Sequence, residues 1–232
     1  MLDALFLHSK KLTRNAMNEA YVLIVGAGPG LGLAIAREFG RDIKKVALFA
    51  RSEENLSSLA KSLNSEGIEV KTKSVDAADL VALEAATEEI LADWGAPRVV
   101  VYHGATVVSR RPLALPSSEF ARELVVNVVG AHLVTSTVAP KMTEGTILYT
   151  GGGFAMYPSA DYASLSAGKA ALKNLAESAA GDLLDRGVHL AVINICGFVE
   201  PTGNFSVEQI AKKYGEIHLQ GRDEWKFEYN YV

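Results

Sequence analysis

The stretch YVLIVGAGPGLGLAIAREFG, residues 21–40, constrains the fold more than any other in the chain. Its opening residues are continuously apolar rather than alternating, the pattern of a strand buried on both faces. A turn containing Gly26, Gly28, Gly30 and Gly32 follows, and an amphipathic helical run begins at Leu31. Glycines permit positive φ and let the backbone approach a ligand closely, while a helix N-terminus presents free N–H groups and partial positive charge. Strand, glycine turn and helix in that order read as a corner that holds the phosphates of a nucleotide, with a bare tight turn as the alternative.

From residue 21 onward the alternation repeats. KKVALFA, EVKTKSV, PRVVVYHG, GTILYTGG and HLAVINICG read as further strands, and WKFEYNYV as a last strand sealing a sheet edge. Helical patterns fall between them: SEENLSSLAKSLNSEG with Ser52 as N-cap and Gly67 past its end, then 79–94, 116–134 and onward to Met142, 162–184, and SVEQIAKKYGEIHLQ. Strand-then-helix repetition predicts an α/β chain with one doubly wound domain over 17–232. Its mostly parallel sheet of about seven strands carries helices on both faces. Residues 1–16 read as an N-terminal extension outside that domain, with Met17 as an alternative initiator.

Composition narrows the function. A chain of 232 residues that is 49% hydrophobic can bury one sizeable core. A formal net charge of −4 with no long basic run argues against a nucleic-acid or membrane-surface partner. A single cysteine, Cys196, excludes an internal disulfide framework and a Cys-rich metal site, and suits a reducing cytoplasm. No metal is expected, and no apolar run reaches the roughly 20 residues that span a bilayer.

The end of the second strand bears on which nucleotide is bound. A carboxylate there would accept hydrogen bonds from ribose hydroxyls. The sequence instead reads FARSEEN, placing Arg51 and Ser52 at that point. A fixed cation with a bidentate donor fork suits a 2′-phosphate, which favours NADP over NAD and disfavours an S-adenosylmethionine site. In the competing reading Arg51 is a solvated arginine beside Glu53 and Glu54.

The glycines at 26, 30 and 32 have the spacing G-x-x-x-G-x-G, and further segments follow in a familiar order: KSVDAAD, VNVVGAHLVTSTVAPKM and NICGFVEPT. Between Tyr21 and about Thr202 the chain resembles the short-chain dehydrogenases/reductases, which share a Rossmann fold. The resemblance implies a cofactor site made by Gly26, Gly30, Leu31, Gly32, Arg51, Ser52, Asp76 (toward the adenine amine), Gly104, Asn127, Lys169, Gly197 and Val199. It implies catalytic roles for Asn127 and Lys169, a carbonyl or alcohol substrate, NADP or NAD as cofactor, and a homodimer or homotetramer.

The departures from that family gather at the chemistry. The residue four before Lys169 is a tyrosine in the family and Leu165 here; the serine thirteen earlier is Gly152. The two assignments share one count, so no gap is needed. Leucine and glycine offer no side-chain proton, whereas a well-placed general acid contributes about 10²–10⁴-fold. His103 and Tyr162 are the substitute candidates, with Tyr157 a weaker third. Tyr162 needs a three-residue insertion that would put Thr150 near the serine role, and lies about 10 Å along the helix from Lys169. Two functions remain open: an NADP-preferring oxidoreductase with an altered site, or an NAD(P)-binding sensor or partner subunit without turnover.

Overall fold

The computed structural model describes residues 20–232, so the expected extension at 1–16 lies outside the described residues. Seven parallel strands form one sheet in the order β3-β2-β1-β4-β5-β6-β7. They are β1 Val22–Val25, β2 Lys45–Ala50, β3 Glu69–Ser74, β4 Val99–Tyr102, β5 Gly145–Thr150, β6 Val188–Ile195 and β7 Glu228–Tyr231. The helices are α1 Leu31–Ile43, α2 Glu53–Ser65, α3 Leu80–Trp94, α4 Ser117–Leu124, α5 Gly130–Val138, α6 Ala163–Asp185 and α7 Val207–His218.

Strand residues alternate between two apolar cores, one on each face of the sheet. Leu23, Val100, Ile147 and Leu190 pack against α3, α5 and α6 through Leu83, Val134 and Leu172. Val22, Val101, Leu148 and Ile193 pack against α1, α2 and α7 through Ile35, Leu56 and Ile210. The doubly wound expectation is thus met, with the continuous apolar strands buried on both sides.

Helix starts follow the expected capping chemistry. The Ser52 hydroxyl accepts from Asn55 N at 3.2 Å, and Asp79 caps α3 by accepting from Ala82 N at 3.0 Å. The tail forms the edge as expected: Trp225 stacks on His189 at 4.7 Å, and β7 pairs with the upper half of β6. The helical run 117–141 is long and apolar enough to cross a bilayer by length and composition alone, which the sequence reading had not anticipated. In this fold it lies on the sheet, with Asn127, Ala131, Val134 and Val138 buried.

Between α4 and α5 the backbone passes through a π-helical segment, Val125–Val129, centred on Asn127. Such a bulge frees a carbonyl from the regular ladder. The buried Tyr102 hydroxyl donates to Val126 O at 2.5 Å and so holds the segment against the end of β4. Tyr102→Phe leaves that carbonyl without its donor, a loss of about 1–3 kcal/mol. A fall in melting temperature of about 3–10 °C by differential scanning fluorimetry is expected for a domain of this size. An unchanged melting temperature would remove this bond from the account of the fold.

Candidate functional site

The parallel register brings the C-terminal ends of β1, β4 and β5 side by side, with Val25 beside Tyr102 and Tyr102 beside Tyr149. One residue further on, the chain turns away from each strand. There it leaves a cavity of about 740 Å³ lined by Gly26, Arg51, Ser52, Asp76, His103 and Lys169 among others.

At one end lies the glycine turn. Gly26 has φ +92°, and a Cβ on it would meet Gly104 N at 2.5 Å, so only glycine lets β1 turn this tightly beside the end of β4. A Cβ at Gly28 or Gly30 would meet nothing within 4 Å, which leaves open space over the start of α1. That helix begins at Gly30 with no side-chain cap and no acidic residue in its first turn. Its first N–H groups and partial positive charge therefore face the opening, an arrangement that suits a pyrophosphate.

Arg51 and Ser52 line the same cavity, joined by Asn55 one turn into α2. Arg51 is exposed and forms no ion pair among the described residues, so Glu53 and Glu54 do not compete for it. The donor set fits a 2′-phosphate. Asp76 lines the wall beyond, its carboxylate accepting from Ala78 N at 3.0 Å and pairing with Arg122 at 2.9 Å.

At the other end, Lys169 is buried at 8% exposure and donates to Thr150 O at 2.5 Å. Burial pushes its ammonium down to about 8. Leu165, one turn earlier on α6, lines the cavity beside it. Gly152 is the other neighbour: a Cβ there would meet Lys169 Cγ at 3.8 Å, an ordinary contact. The two positions singled out by counting along the sequence therefore flank Lys169 in space.

His103 lines the cavity too, its Nδ1 3.0 Å from Thr150 Oγ1. Burial, aided by the Lys169 charge, pushes its imidazole down to about 4, so the ring is neutral in the physiological range. A cationic general acid is therefore not what His103 offers.

Other expected site residues lie outside the cavity lining. Tyr162 sits at the start of α6 and stacks on Phe154 with ring centroids 5.7 Å apart. Tyr157 is exposed on the loop after β5. Gly30, Leu31 and Gly32 form the start of α1 rather than the wall, and Gly197 and Val199 belong to the loop after β6, where Gly197 lies against Phe205 and Val199 is exposed. Asn127 is buried at 1% exposure; its side-chain oxygen accepts from Thr106 N at 2.7 Å, while its amide nitrogen has no partner among the described residues. A Cβ on Gly168 would meet Asn127 Cβ at 2.7 Å, so this asparagine clasps the loop after β4 against α6 by close approach.

Sequence reasoning missed Asn55, Thr106, Val126 and the role of Tyr214. Asn55 was legible as the residue one turn beyond Ser52. Tyr214 was not, because it reaches the site from α7, sixty-four residues after the Thr150 hydroxyl that it meets at 2.8 Å.

The short chain dehydrogenase family matches residues 20–213, and the chain belongs to it. It is 28% identical over 205 residues to a 3-dehydrosphinganine reductase of Arabidopsis thaliana, covering 85% of this chain and 59% of that one. The chain thus spans about three fifths of that relative's length. Its fold matches a metagenomic short-chain oxidoreductase crystallised with NADP, at TM-score 0.84 and 24% identity over 93% of this chain and 98% of that one. It also matches an NAD⁺-bound xylitol dehydrogenase at TM-score 0.72 and 26% identity, over 81% of this chain and 73% of that one.

Because the folded Lys169 value lies below the ordinary lysine range, the unfolded chain binds its extra proton between about pH 8 and pH 10.5. Stability contributed by this group therefore rises with pH across that window. Urea unfolding of the wild type should gain about 1–2 kcal/mol more than Lys169→Met between pH 8 and about pH 9.5. Parallel pH profiles for the two proteins would contradict the buried, proton-shedding lysine.

Proposed function

We propose that this chain is an NADP(H)-preferring oxidoreductase acting on a carbonyl or alcohol, with the family's usual side-chain proton donors replaced. The observation that carries the reading is the continuity of one cavity, from the start of α1 past Arg51, which has no ion pair among the described residues, to buried Lys169. A bound nicotinamide cofactor supplies the hydride.

In this reading the first N–H groups of α1 hold the pyrophosphate, and Arg51, Ser52 and Asn55 hold the 2′-phosphate. Asp76 has both carboxylate oxygens engaged, so it approaches the adenine already fixed in place. Lys169 donates to a ribose hydroxyl while its bond to Thr150 O keeps it oriented. Leu165 and Gly152 give the carbonyl oxygen no hydroxyl partner, so its proton comes through His103 or through water. Tyr162, outside the cavity lining, is not the donor.

The same pair of residues favours a second reading. With Leu165 and Gly152 on either side of Lys169, the chain would bind the cofactor without turnover, as a redox sensor or a partner subunit.

Fluorescence titration with NADPH and NADH, followed by a screen of aldehydes, ketones and quinones, tests both readings. NADPH is expected to bind more tightly than NADH. Arg51→Ala should weaken NADPH by about tenfold or more and leave NADH unchanged, the loss of charge-assisted bonds to one phosphate. Tight binding with no turnover on any class supports the second reading, and failure to bind either nucleotide overturns both.

A further inference from the structure

Three polar groups form a chain from the cavity wall into the core, and the function above gives no role to the side chains of Thr150 and Tyr214. Tyr214 OH lies 2.8 Å from Thr150 Oγ1, and Thr150 Oγ1 lies 3.0 Å from His103 Nδ1. Tyr102 and Tyr149 are paired across β4 and β5, so the next residues, His103 and Thr150, emerge side by side. Both side chains turn toward the face covered by α7, where Tyr214 is fully buried. Thr150 is held at its other end as well, since its carbonyl accepts from Lys169.

Counting donors orients the chain. A buried phenol must donate its proton, and Thr150 Oγ1 is the partner Tyr214 has among the described residues. Tyr214 therefore donates to Thr150. The hydroxyl of Thr150 has a single hydrogen, which is left for His103 Nδ1. A ring nitrogen that accepts is unprotonated, so the proton of the neutral imidazole sits on Nε2. An Nδ1–H donating to Thr150 would strand a hydrogen in either case: the phenol's if Thr150 donated on to Tyr214, or the threonine's if Thr150 accepted from both.

We propose that Thr150, whose hydroxyl accepts from Tyr214, is a positioning residue that locks His103 as the Nε2–H tautomer, so that the ring offers the cavity a neutral hydrogen-bond donor for a carbonyl oxygen. Nε2 has no partner among the described residues, and His103 lines the cavity together with Gly104 and Lys169. The use of that donor toward a substrate rests on the function proposed above; the tautomer itself does not. A neutral donor on the cavity wall would polarise a carbonyl where Gly152 and Leu165 leave it without a hydroxyl.

The test is two-dimensional ¹H–¹⁵N NMR of the histidine rings in the ¹⁵N-labelled full chain without nucleotide at pH 7, with His103 assigned from the signals lost in His103→Gln. The wild type should show a single neutral form with Nδ1 unprotonated, favoured by about tenfold or more. Thr150→Val removes the donor to Nδ1 and should give a tautomer mixture, and Thr150→Ser should restore the single form. A wild-type ring protonated on Nδ1, or a Thr150→Val ring that keeps the pure Nε2–H pattern, overturns the proposal. The wild-type spectrum decides even if a variant fails to fold. It is also independent of nucleotide binding, so failure of the NADPH titration and failure of this chain of bonds are separate results.

Discussion

The bond from Lys169 Nζ to Thr150 O is the interaction on which the site depends. It ties α6 to the tip of β5 and holds an ammonium in a buried place, where desolvation lowers its proton affinity. A buried charge of this kind persists only with a well-placed partner, and the last carbonyl of β5 is that partner. Everything that lines the deep end of the cavity is set by this contact. Gly152 follows two residues later, Leu165 precedes by one helical turn, and the Thr150 side chain is turned toward His103 and Tyr214.

Much of the fold was legible because its signals are local. Continuous apolar runs gave the buried parallel strands, Ser52 gave the start of α2, and the glycine turn gave the uncapped start of α1. The pairing of Gly152 with Leu165 around Lys169 was legible too, since both could be counted from the same strand and helix. What stayed hidden depends on distant partners. The Asp76–Arg122 pair, the Asn127–Thr106 clasp and the bond from Tyr214 to Thr150 each join residues whose separation in sequence carries no pattern. The π-helical segment escaped for the same reason: it is held by Tyr102, which lies in a strand that reads as uniformly buried.

The two ends of the cavity differ in how they treat charge. The Arg51 end is open and cationic, without an internal ion pair among the described residues, and so is ready for an anion. The Lys169 end is buried, with His103 held neutral and tyrosines Tyr149 and Tyr214 buried on either face of β5, neither lining the cavity. In the proposed reading the site keeps its cofactor-holding groups while lacking a hydroxyl at the reacting oxygen, which separates cofactor binding from proton delivery. That separation is the core of the proposed function, whichever of its two readings holds.

The double variant Gly152→Ser, Leu165→Tyr tests it most directly. A Cβ at 152 meets only ordinary contacts, and the 165 side chain borders open cavity, so both replacements have room. The measurement is the single-turnover rate of NADPH oxidation against a fixed panel of aldehydes and ketones, with folding and NADPH affinity checked alongside. If the proton relay is vacated and the cofactor site intact, the rate should rise by about 10²–10⁴-fold on at least one carbonyl. A folded, NADPH-binding double variant whose rate is unchanged across the panel would contradict the assignment.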